Sequence, residues 1–237
     1  MPSAYLLVSH GSRDPRPAVA MQQLAEFVSQ KLGNTKNPVG IAALELQPEP
    51  LHQQIQKFAS GALVDGIDCL QIVPLFLLPG VHVMTDIPDQ ITLAQQALGQ
   101  DIMINLHPHL GSHPSLITLL CEQMATMKAE TTILLAHGSR RPGSLKPIET
   151  IAAKLGAVTA YWAVAPSLES RLQDLVAAGK REIAILPYFL FTGGITDAIA
   201  QSIEKLKLQF PTVTFQLAAP LGASAELAEI IEDLIHT

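Results

Sequence analysis

The sequence LLVSHGSR at residues 6–13 returns as LLAHGSR at residues 134–140. Each copy is a short apolar run that ends in a polar turn, with proline a few residues later, which is typical of a strand followed by the start of a helix. Other landmarks return in the same order. LELQPEPL at 44–51 matches YWAVAPSL at 161–168, and IVPLFLLPG at 72–80 matches ILPYFLFTG at 185–193. Repetition in this register indicates a tandem duplication.

Each half alternates short Val, Ile and Leu runs with segments whose apolar residues fall at helical spacing. This alternation predicts an α/β fold in which parallel strands are covered by helices. We therefore expect two tandemly duplicated lobes, residues 1–128 and 129–237, each a parallel four-stranded sheet flanked by helices. The ligand of such a protein is expected in the cleft between the lobes. The predicted strands lie near residues 4–9, 39–46, 69–77, 101–106, 131–136, 157–164, 182–190 and 212–217.

Composition and charge exclude several classes of protein. With 237 residues, of which 48% are hydrophobic and 15% charged, the chain can build a sizeable core and is not a disordered chain. Its net charge of −6 is accompanied by no basic block, so a nucleic-acid partner is not expected. Cys69 and Cys121 lack CxxC neighbours, which argues against an iron–sulfur or zinc site.

The apolar segments do not resemble membrane spans. The longest of them, residues 72–81, is about half the length of a span and contains Pro74, Pro79 and Gly80. The first residues, MPSAYLLVSHGSR, have no basic segment before an apolar one, which is unlike a signal peptide. We therefore expect a cytoplasmic protein with no membrane partner.

Side chains that can bind a metal follow the predicted strands of the first half. His10 comes after the first strand, Glu45 ends the second, and His82 lies in the loop after the third. Because ligands of open parallel sheets bind beyond the carboxyl ends of the strands, these residues are expected to meet at one edge. Two imidazoles and a carboxylate suit a divalent ion such as Co²⁺, Fe²⁺ or Ni²⁺.

The second half keeps only one of these three candidate ligands. Its tryptophan and isoleucine cannot replace a metal ligand or a base, so the metal chemistry is predicted in the first lobe. The retained histidine either takes part in catalysis or only hydrogen-bonds its own turn. The residues paired by aligning the two halves are His10 with His137, Glu45 with Trp162, and His82 with Ile195 or a small gap.

The HGSR turns suggest two other interpretations. A turn before a helix can present backbone N–H groups to a phosphate, but the spacings of the P-loop and of the dinucleotide-binding motif are missing. A histidine phosphatase would need Arg directly before His-Gly, where this chain has Ser9 and Ala136. Neither class of protein is favoured.

Over essentially its whole length the sequence resembles the sirohydrochlorin chelatases. The resemblance rests on the doubled HGSR unit and on ELQPEPL at 45–51, VPLFLLPGVHVMTDIP at 73–88 and PHLGSHP at 108–114. It implies a two-lobed chelatase fold and an enzyme that inserts Co²⁺ or Fe²⁺ into sirohydrochlorin, in cobalamin or siroheme biosynthesis. It also implies that His10 and His82 bind the metal and that Glu45 is the acidic residue of the site.

The chemistry of metal insertion sets what such a site must contain. It needs a metal with replaceable ligands and a base for two pyrrole protons. His10 and His82 would hold the ion and leave positions open, while Glu45 would accept a proton or help to hold the metal. The carboxylates and the flat apolar surface of a tetrapyrrole require cationic anchors and an apolar wall. The predicted anchors are Arg13, Arg16, Arg140, Arg141 and Lys146, and the predicted wall is Trp162, Tyr188 and Phe191.

Several alternatives stay open at the level of sequence. No cofactor is expected beyond the substrate metal ion, for which Ni²⁺ is a further candidate, and a monomer should hold the complete site. A non-catalytic carrier of metal or tetrapyrrole would use the same histidines. A small-molecule transferase on this fold has no supporting cofactor motif. The remaining histidines are His107, His109 and His113, which form either a path for metal or a surface turn, and His52 and His236, which are expected to be solvated.

Overall fold

The computed structural model describes residues 2–33 and 37–236, in which strands and helices alternate along the chain. Contacts divide the chain into two compact units, Met1–Pro114 with Ala223–Thr237, and Ser115–Gly222. The strands are β1 Ala4–Ser9, β2 Val39–Ala43, β3 Cys69–Pro74, β4 Met103–Leu106, β5 Thr131–Ala136, β6 Val158–Tyr161, β7 Glu182–Pro187 and β8 Thr214–Leu217. The α-helices are α1 Pro15–Lys31, α2 Leu51–Val64, α3 Ile87–Leu98, α4 Ser115–Ala125, α5 Lys146–Leu155, α6 Leu168–Ala177, α7 Gly194–Gln209 and α8 Ala225–His236.

Each unit contains one parallel four-stranded sheet. The strand order is β2-β1-β3-β4 in the first unit and β6-β5-β7-β8 in the second. In the first unit the register pairs Ser9 of β1 with Ala43 of β2, and Val8 of β1 with Pro74 of β3. Because all four strands run in the same direction, their carboxyl ends lie at one edge of the sheet. The predicted fold class, two duplicated parallel α/β lobes, is confirmed.

The core of each unit follows from the periods of strand and helix. Alternate residues of a strand share one face, and residues three or four apart share one face of a helix. In the first unit, Leu70 and Ile72 of β3 are fully buried against Ile55 of α2 and Ile87 of α3. The matching core positions of the second unit include Ile133, Ile185, Leu172, Ile199 and Ile203.

Local sequence signals set where helices begin and end. Asp14 is the N-cap of α1, because its carboxylate accepts a hydrogen bond from the Arg16 N–H, and Pro15 occupies the first turn. Ser167 caps α6 in the same way through the Ser170 N–H. Gly156 ends α5 in the left-handed conformation. Among the described residues, no helix combines the length and the apolar character that a membrane span requires.

The last helix of each sequence repeat packs in the other unit. α8, from the second repeat, belongs to the first unit, where it packs against α1 and buries Leu227, Ile231 and Leu234. α4, from the first repeat, belongs to the second unit and packs against α5. An apolar stripe on a helix specifies that it covers a hydrophobic surface but does not specify which one. The domain bounds 1–128 and 129–237 describe the sequence repeats and stay a prediction.

Candidate metal centre

The backbone of the first two strands holds His10 and Glu45 side by side. The pairing of β1 with β2 continues beyond the strands, because the Leu44 N–H donates to the Ser9 carbonyl and the Glu45 N–H donates to the His10 carbonyl, both at 2.9 Å. Nε2 of His10 lies 3.8 Å from Oε2 of Glu45, and each side chain is 49% exposed. An imidazole and a carboxylate therefore stand together at the carboxyl edge of the sheet.

Gly11 allows this close approach. Its φ of +99° lies in the left-handed region, where a residue with a side chain is strained. A Cβ at this position would also overlap the carbonyl group of Glu45. Leu46, directly after Glu45, adopts a positive φ of 60°, so backbone strain is stored beside the pair. The glycine of the first HGSR turn is therefore needed for the placement of both side chains.

His82 reaches the site from a π-helical turn, His82–Asp86, that runs directly into α3. Its ring centroid lies 4.9 Å from that of His10, and the two rings are nearly perpendicular, at 80°. Phe76, in the loop after β3, has its ring centroid 6.5 Å from that of His10 and 6.1 Å from that of His82. The phenyl ring therefore lies close to both imidazoles.

His10, Glu45 and His82 form a cluster whose ligand atoms all lie within 4.8 Å of one another. In residues 2–33 and 37–236 it is the one such group of three His, Cys, Asp or Glu side chains. Bonds from nitrogen or oxygen to a divalent metal of this kind are about 2.0–2.2 Å long, so small side-chain rotations bring all three donors onto one ion. Three protein ligands leave positions open for a substrate, which is the pattern of a catalytic rather than a structural metal site.

His109 supports the loop that carries Phe76. Its Nδ1 lies 3.0 Å from the Phe76 carbonyl oxygen, which also accepts the Gly111 N–H at 2.9 Å. Because a carbonyl can only accept, Nδ1 of His109 must be the donor. Burial lowers the pKa of His109 from its ordinary value of 6.5, and the bond to Phe76 partly opposes that shift.

The lowered pKa of His109 predicts that stability falls in mild acid. His109 binds a proton more readily in the unfolded chain than in the folded chain. The contribution of neutral, buried His109 to the free energy of unfolding is therefore complete above pH 6.5, and it is lost as the pH falls from there through the lower pKa of the folded state. We expect His109→Gln to reduce the pH dependence of unfolding by urea below pH 6.5 relative to the parent protein, with the remainder due to His107, whose pKa burial also lowers. An unchanged pH dependence in His109→Gln would contradict this.

The other histidines of the same segment do not join His109 in a metal site. Nε2 of His107 lies 2.8 Å from Oε1 of Gln71, and burial lowers the pKa of His107. Nδ1 of His113 is buried without a hydrogen-bond partner in the described part of the chain. Since the three histidines form no three-donor cluster among the described residues, the structure gives no support to a metal path through them.

The two histidines predicted to be solvated differ from each other. His236 is exposed, as predicted. His52 is half-buried, and its Nδ1 lies 2.9 Å from Oε1 of Gln90, so the prediction for His52 is wrong. The reason is that α2 and α3 pack together and bring these two side chains into contact.

The second unit lacks the carboxylate at the matching edge. The Ala163 N–H donates to the His137 carbonyl, which is the same bond that Glu45 makes to His10 in the first unit. Glu45 is thus matched by Ala163, and the predicted pairing of Glu45 with Trp162 is wrong by one residue. The error arises because the second stretch offers no charged landmark that fixes the alignment. The conclusion that the position matching Glu45 carries no carboxylate is unchanged.

The predicted tetrapyrrole contacts lie in different environments. Arg13 and Arg140 are exposed, each three residues after the histidine of its HGSR turn, and Trp162 and Phe191 are half-buried. Tyr188 is only 4% exposed, and burial raises the pKa of its hydroxyl. Its ring belongs to the interior, so the structure does not favour Tyr188 as part of an apolar wall. The roles of the other four residues stay a prediction.

The additional cationic anchors also differ in availability. Arg16 is engaged with the N-cap carboxylate of Asp14, with its Nε 3.0 Å from Oδ1. Arg141 and Lys146 are exposed near the start of α5. Because Arg16 is paired with the N-cap carboxylate of α1, it is less available to bind a substrate carboxylate than the exposed Arg141 and Lys146.

Fold and cluster together define a class: a duplicated parallel α/β protein with an open site of two histidines and one carboxylate, suited to a divalent metal. The CbiX family model matches residues 4–127 and, a second time, residues 131–237. The chain therefore belongs to the CbiX family. The double match also confirms the internal duplication.

Named relatives extend over nearly the whole chain. The chain is 27% identical to a sirohydrochlorin ferrochelatase of Priestia megaterium, over 99% of this chain and 90% of that protein. It is 24% identical to a sirohydrochlorin cobaltochelatase of the same organism, over 96% of this chain and 77% of that protein. Among solved structures, SirB from Bacillus subtilis with Fe³⁺ superposes with a TM-score of 0.79 over 100% of this chain and 95% of that chain, at 24% identity. The predicted family and fold are confirmed.

Proposed function

We propose that this protein is a metal chelatase that inserts Co²⁺ or Fe²⁺ into sirohydrochlorin. The observation that carries the proposal is the cluster of His10, Glu45 and His82 at the carboxyl edge of the first sheet, with all ligand atoms within 4.8 Å. Three relatives that each align with at least 90% of the chain are named sirohydrochlorin cobaltochelatase or ferrochelatase. The predicted enzyme class is confirmed by this agreement.

The two histidines hold the substrate metal and leave it reactive. Neutral imidazoles bind first-row divalent ions, and fewer than four protein ligands leave positions for the nitrogens of the macrocycle. His10 is 49% exposed and His82 34% exposed, so the ion stands where a flat ligand can reach it. As metal–nitrogen bonds to the macrocycle form, the bonds to His10 and His82 break and the metal is released into the product.

Glu45 provides the basic group nearest to the metal. Insertion of M²⁺ releases two pyrrole N–H protons, which must leave as the metal–nitrogen bonds form. A carboxylate 3.8 Å from Nε2 of His10 can accept such a proton or contribute to the metal, as proposed from the sequence. Glu45→Gln separates these roles, because an amide still offers an oxygen to the metal but is not a base.

The further parts of the proposal concern how the macrocycle is held. Its carboxylates would bind Arg13 and Arg140, and its apolar surface would pack on Trp162 and Phe191. No cofactor is needed beyond the substrate metal. The active form would be a monomer in the cytoplasm. A tetrapyrrole substrate agrees with the relatives' names, and these finer points stay proposals.

A non-catalytic carrier of metal or tetrapyrrole is the second candidate function, because a carrier would use the same three side chains. An absorbance assay separates the two. Purified protein is mixed with sirohydrochlorin and Co²⁺, Fe²⁺ or Ni²⁺, and the spectrum of the metallated product is followed in time. A chelatase accelerates the change catalytically, with many turnovers per protein. A carrier produces at most one equivalent and no acceleration over free metal.

The same assay tests metal selectivity. Imidazole and carboxylate ligands accept several first-row divalent ions, so initial rates with Co²⁺ and Fe²⁺ should lie within about a hundredfold of each other, a barrier difference under about 2.7 kcal/mol. The rates are compared at equal free metal, with anaerobic conditions for Fe²⁺. A larger preference would mean that the site restricts the metal more than these three donors can.

A further inference from the structure

An acidic side chain outside the metal cluster contacts one of its histidines. Oδ2 of Asp86 lies 2.7 Å from Nδ1 of His82, and both side chains are about one-third exposed, at 38% and 34%. We propose that Asp86 is a positioning residue, which holds His82 with the proton on Nδ1 and so presents Nε2 to the substrate metal. The part of this inference that concerns the metal rests on the proposed function, whereas the part that concerns the imidazole does not.

The carboxylate of Asp86 determines which nitrogen of His82 carries the proton. An ionised carboxylate accepts hydrogen bonds and cannot donate one, so Nδ1 of a neutral His82 must carry the hydrogen. The lone pair is then left on Nε2. A carboxylate bonded to the outer nitrogen of a metal-binding histidine also makes the other nitrogen a better donor.

His10, the other histidine of the cluster, has a weaker hydrogen-bond partner at its Nδ1. Nδ1 of His10 lies 3.3 Å from the carbonyl oxygen of Gly11, while its Nε2 faces Glu45 at 3.8 Å. The Gly11 carbonyl is uncharged, and its 3.3 Å contact with His10 is longer than the 2.7 Å contact between Asp86 and His82. The two histidines therefore offer the same nitrogen, but His82 is held more firmly.

The backbone around Asp86 shows that its carboxylate has no competing role as a helix cap. Asp86 directly precedes α3, yet it has helical dihedral angles, φ −65° and ψ −46°, and makes no side-chain capping bond. The next residue, Ile87, is fully buried in the core of the first unit and donates its N–H to the His82 carbonyl. Asp86 is thus anchored to the core on one side and to His82 on the other.

The internal duplication supports a special role for this turn. Gly80 and Gly193 occupy matching positions, because each lies five residues after a residue whose N–H donates to the first strand of its sheet. These donors are Leu75 in the first unit and Tyr188 in the second. From Gly80 to the buried Ile87 there are seven steps, but from Gly193 to the equivalent buried Ile199 there are six. The first unit therefore contains one extra residue, which the π-helical turn accommodates. The His82–Asp86 pair lies in that turn.

Three substitutions test the proposal. Asp86→Ala removes the acceptor, and Asp86→Asn keeps an oxygen that can accept the Nδ1 hydrogen. Asp89→Asn is a matched control that removes an exposed charge from the adjoining helix α3. Long-range ¹H–¹⁵N NMR of the full chain without metal, at alkaline pH, reports which nitrogen of His82 is protonated, with His82→Gln used for assignment. We expect the Nδ1–H form in the parent protein, Asp86→Asn and Asp89→Asn, and the Nε2–H form in Asp86→Ala.

Titration with Co²⁺ alone, followed by its absorption bands, gives the second readout. We expect Asp86→Ala to weaken Co²⁺ binding by about 10–100-fold and Asp86→Asn to weaken it less. Asp89→Asn should bind Co²⁺ with the affinity of the parent protein. The proposal is overturned if His82 of the parent protein is protonated on Nε2, or if Asp86→Ala binds Co²⁺ normally, or if Asp89→Asn loses as much as Asp86→Ala. Failure of the proposed function has a different signature, namely the expected tautomer and Co²⁺ binding without any turnover of sirohydrochlorin.

Discussion

Replacing His10 or His82 with alanine is expected to lower the rate of metal insertion by at least about a hundredfold when metal is limiting. Each substitution removes one nitrogen from a cluster of only three donors. His137→Ala should cost much less, because the equivalent edge of the second unit has Ala163 and Ile195 in place of the carboxylate and the second histidine. All three side chains are at least partly exposed, so folding should be preserved.

The matched set makes this comparison decisive. His10 and His137 occupy the same place in the two HGSR turns, so their alanine variants differ in metal chemistry but not in the kind of backbone that they disturb. The measurement is the initial rate of insertion for the three variants side by side, with circular dichroism to verify folding. Loss of activity in His137→Ala with near-normal activity in His82→Ala would place the metal in the second unit and reverse the assignment.

Gly11→Ala is expected to have the second large effect, through geometry and not through a lost ligand. An added Cβ would overlap the Glu45 carbonyl, and the φ of +99° is strained for alanine. We expect the free energy of unfolding to fall by about 2–4 kcal/mol and Co²⁺ binding to weaken at least about tenfold, since Glu45 must move away from His10.

Gly66→Ala supplies the control for Gly11→Ala. Gly66 also has a positive φ, +75°, but nothing lies within 4 Å of the position that its Cβ would take. Its substitution therefore adds backbone strain alone, about 1 kcal/mol, and leaves Co²⁺ binding intact. Urea unfolding and Co²⁺ titration of both variants check this. Equal losses of stability in the two variants, with normal Co²⁺ binding by Gly11→Ala, would contradict the prediction. They would show that the close approach of Gly11 to the Glu45 carbonyl is not required for metal binding.

The sequence predicted the fold because its landmarks are local. A strand that ends in HGSR, repeated with the same spacing, needs only short-range patterns and the rule that parallel strands end at one edge. The same rule brought His10, Glu45 and His82 together as candidates although they are up to 72 positions apart. Their metal-binding role stays a prediction, while their proximity is a property of the structure.

What the sequence did not predict depends on packing between distant segments. The sequence repeat does not reveal the exchange of α4 and α8, because the apolar stripe of a helix does not specify which unit it covers. The contact between His52 and Gln90 arises from the packing of α2 on α3. Asp86 was detectable in principle, since it follows His82 at the four-residue spacing that places side chains on one face of a helical turn.

The most direct test of the central account is a crystal structure of the protein with Co²⁺, with the ion located by its anomalous scattering. The account predicts one fully occupied Co²⁺ bonded to His10 and His82, with Glu45 at or beside the ion, and with positions open to solvent. Co²⁺ bound instead at His137, or at the segment of His107, His109 and His113, would contradict it.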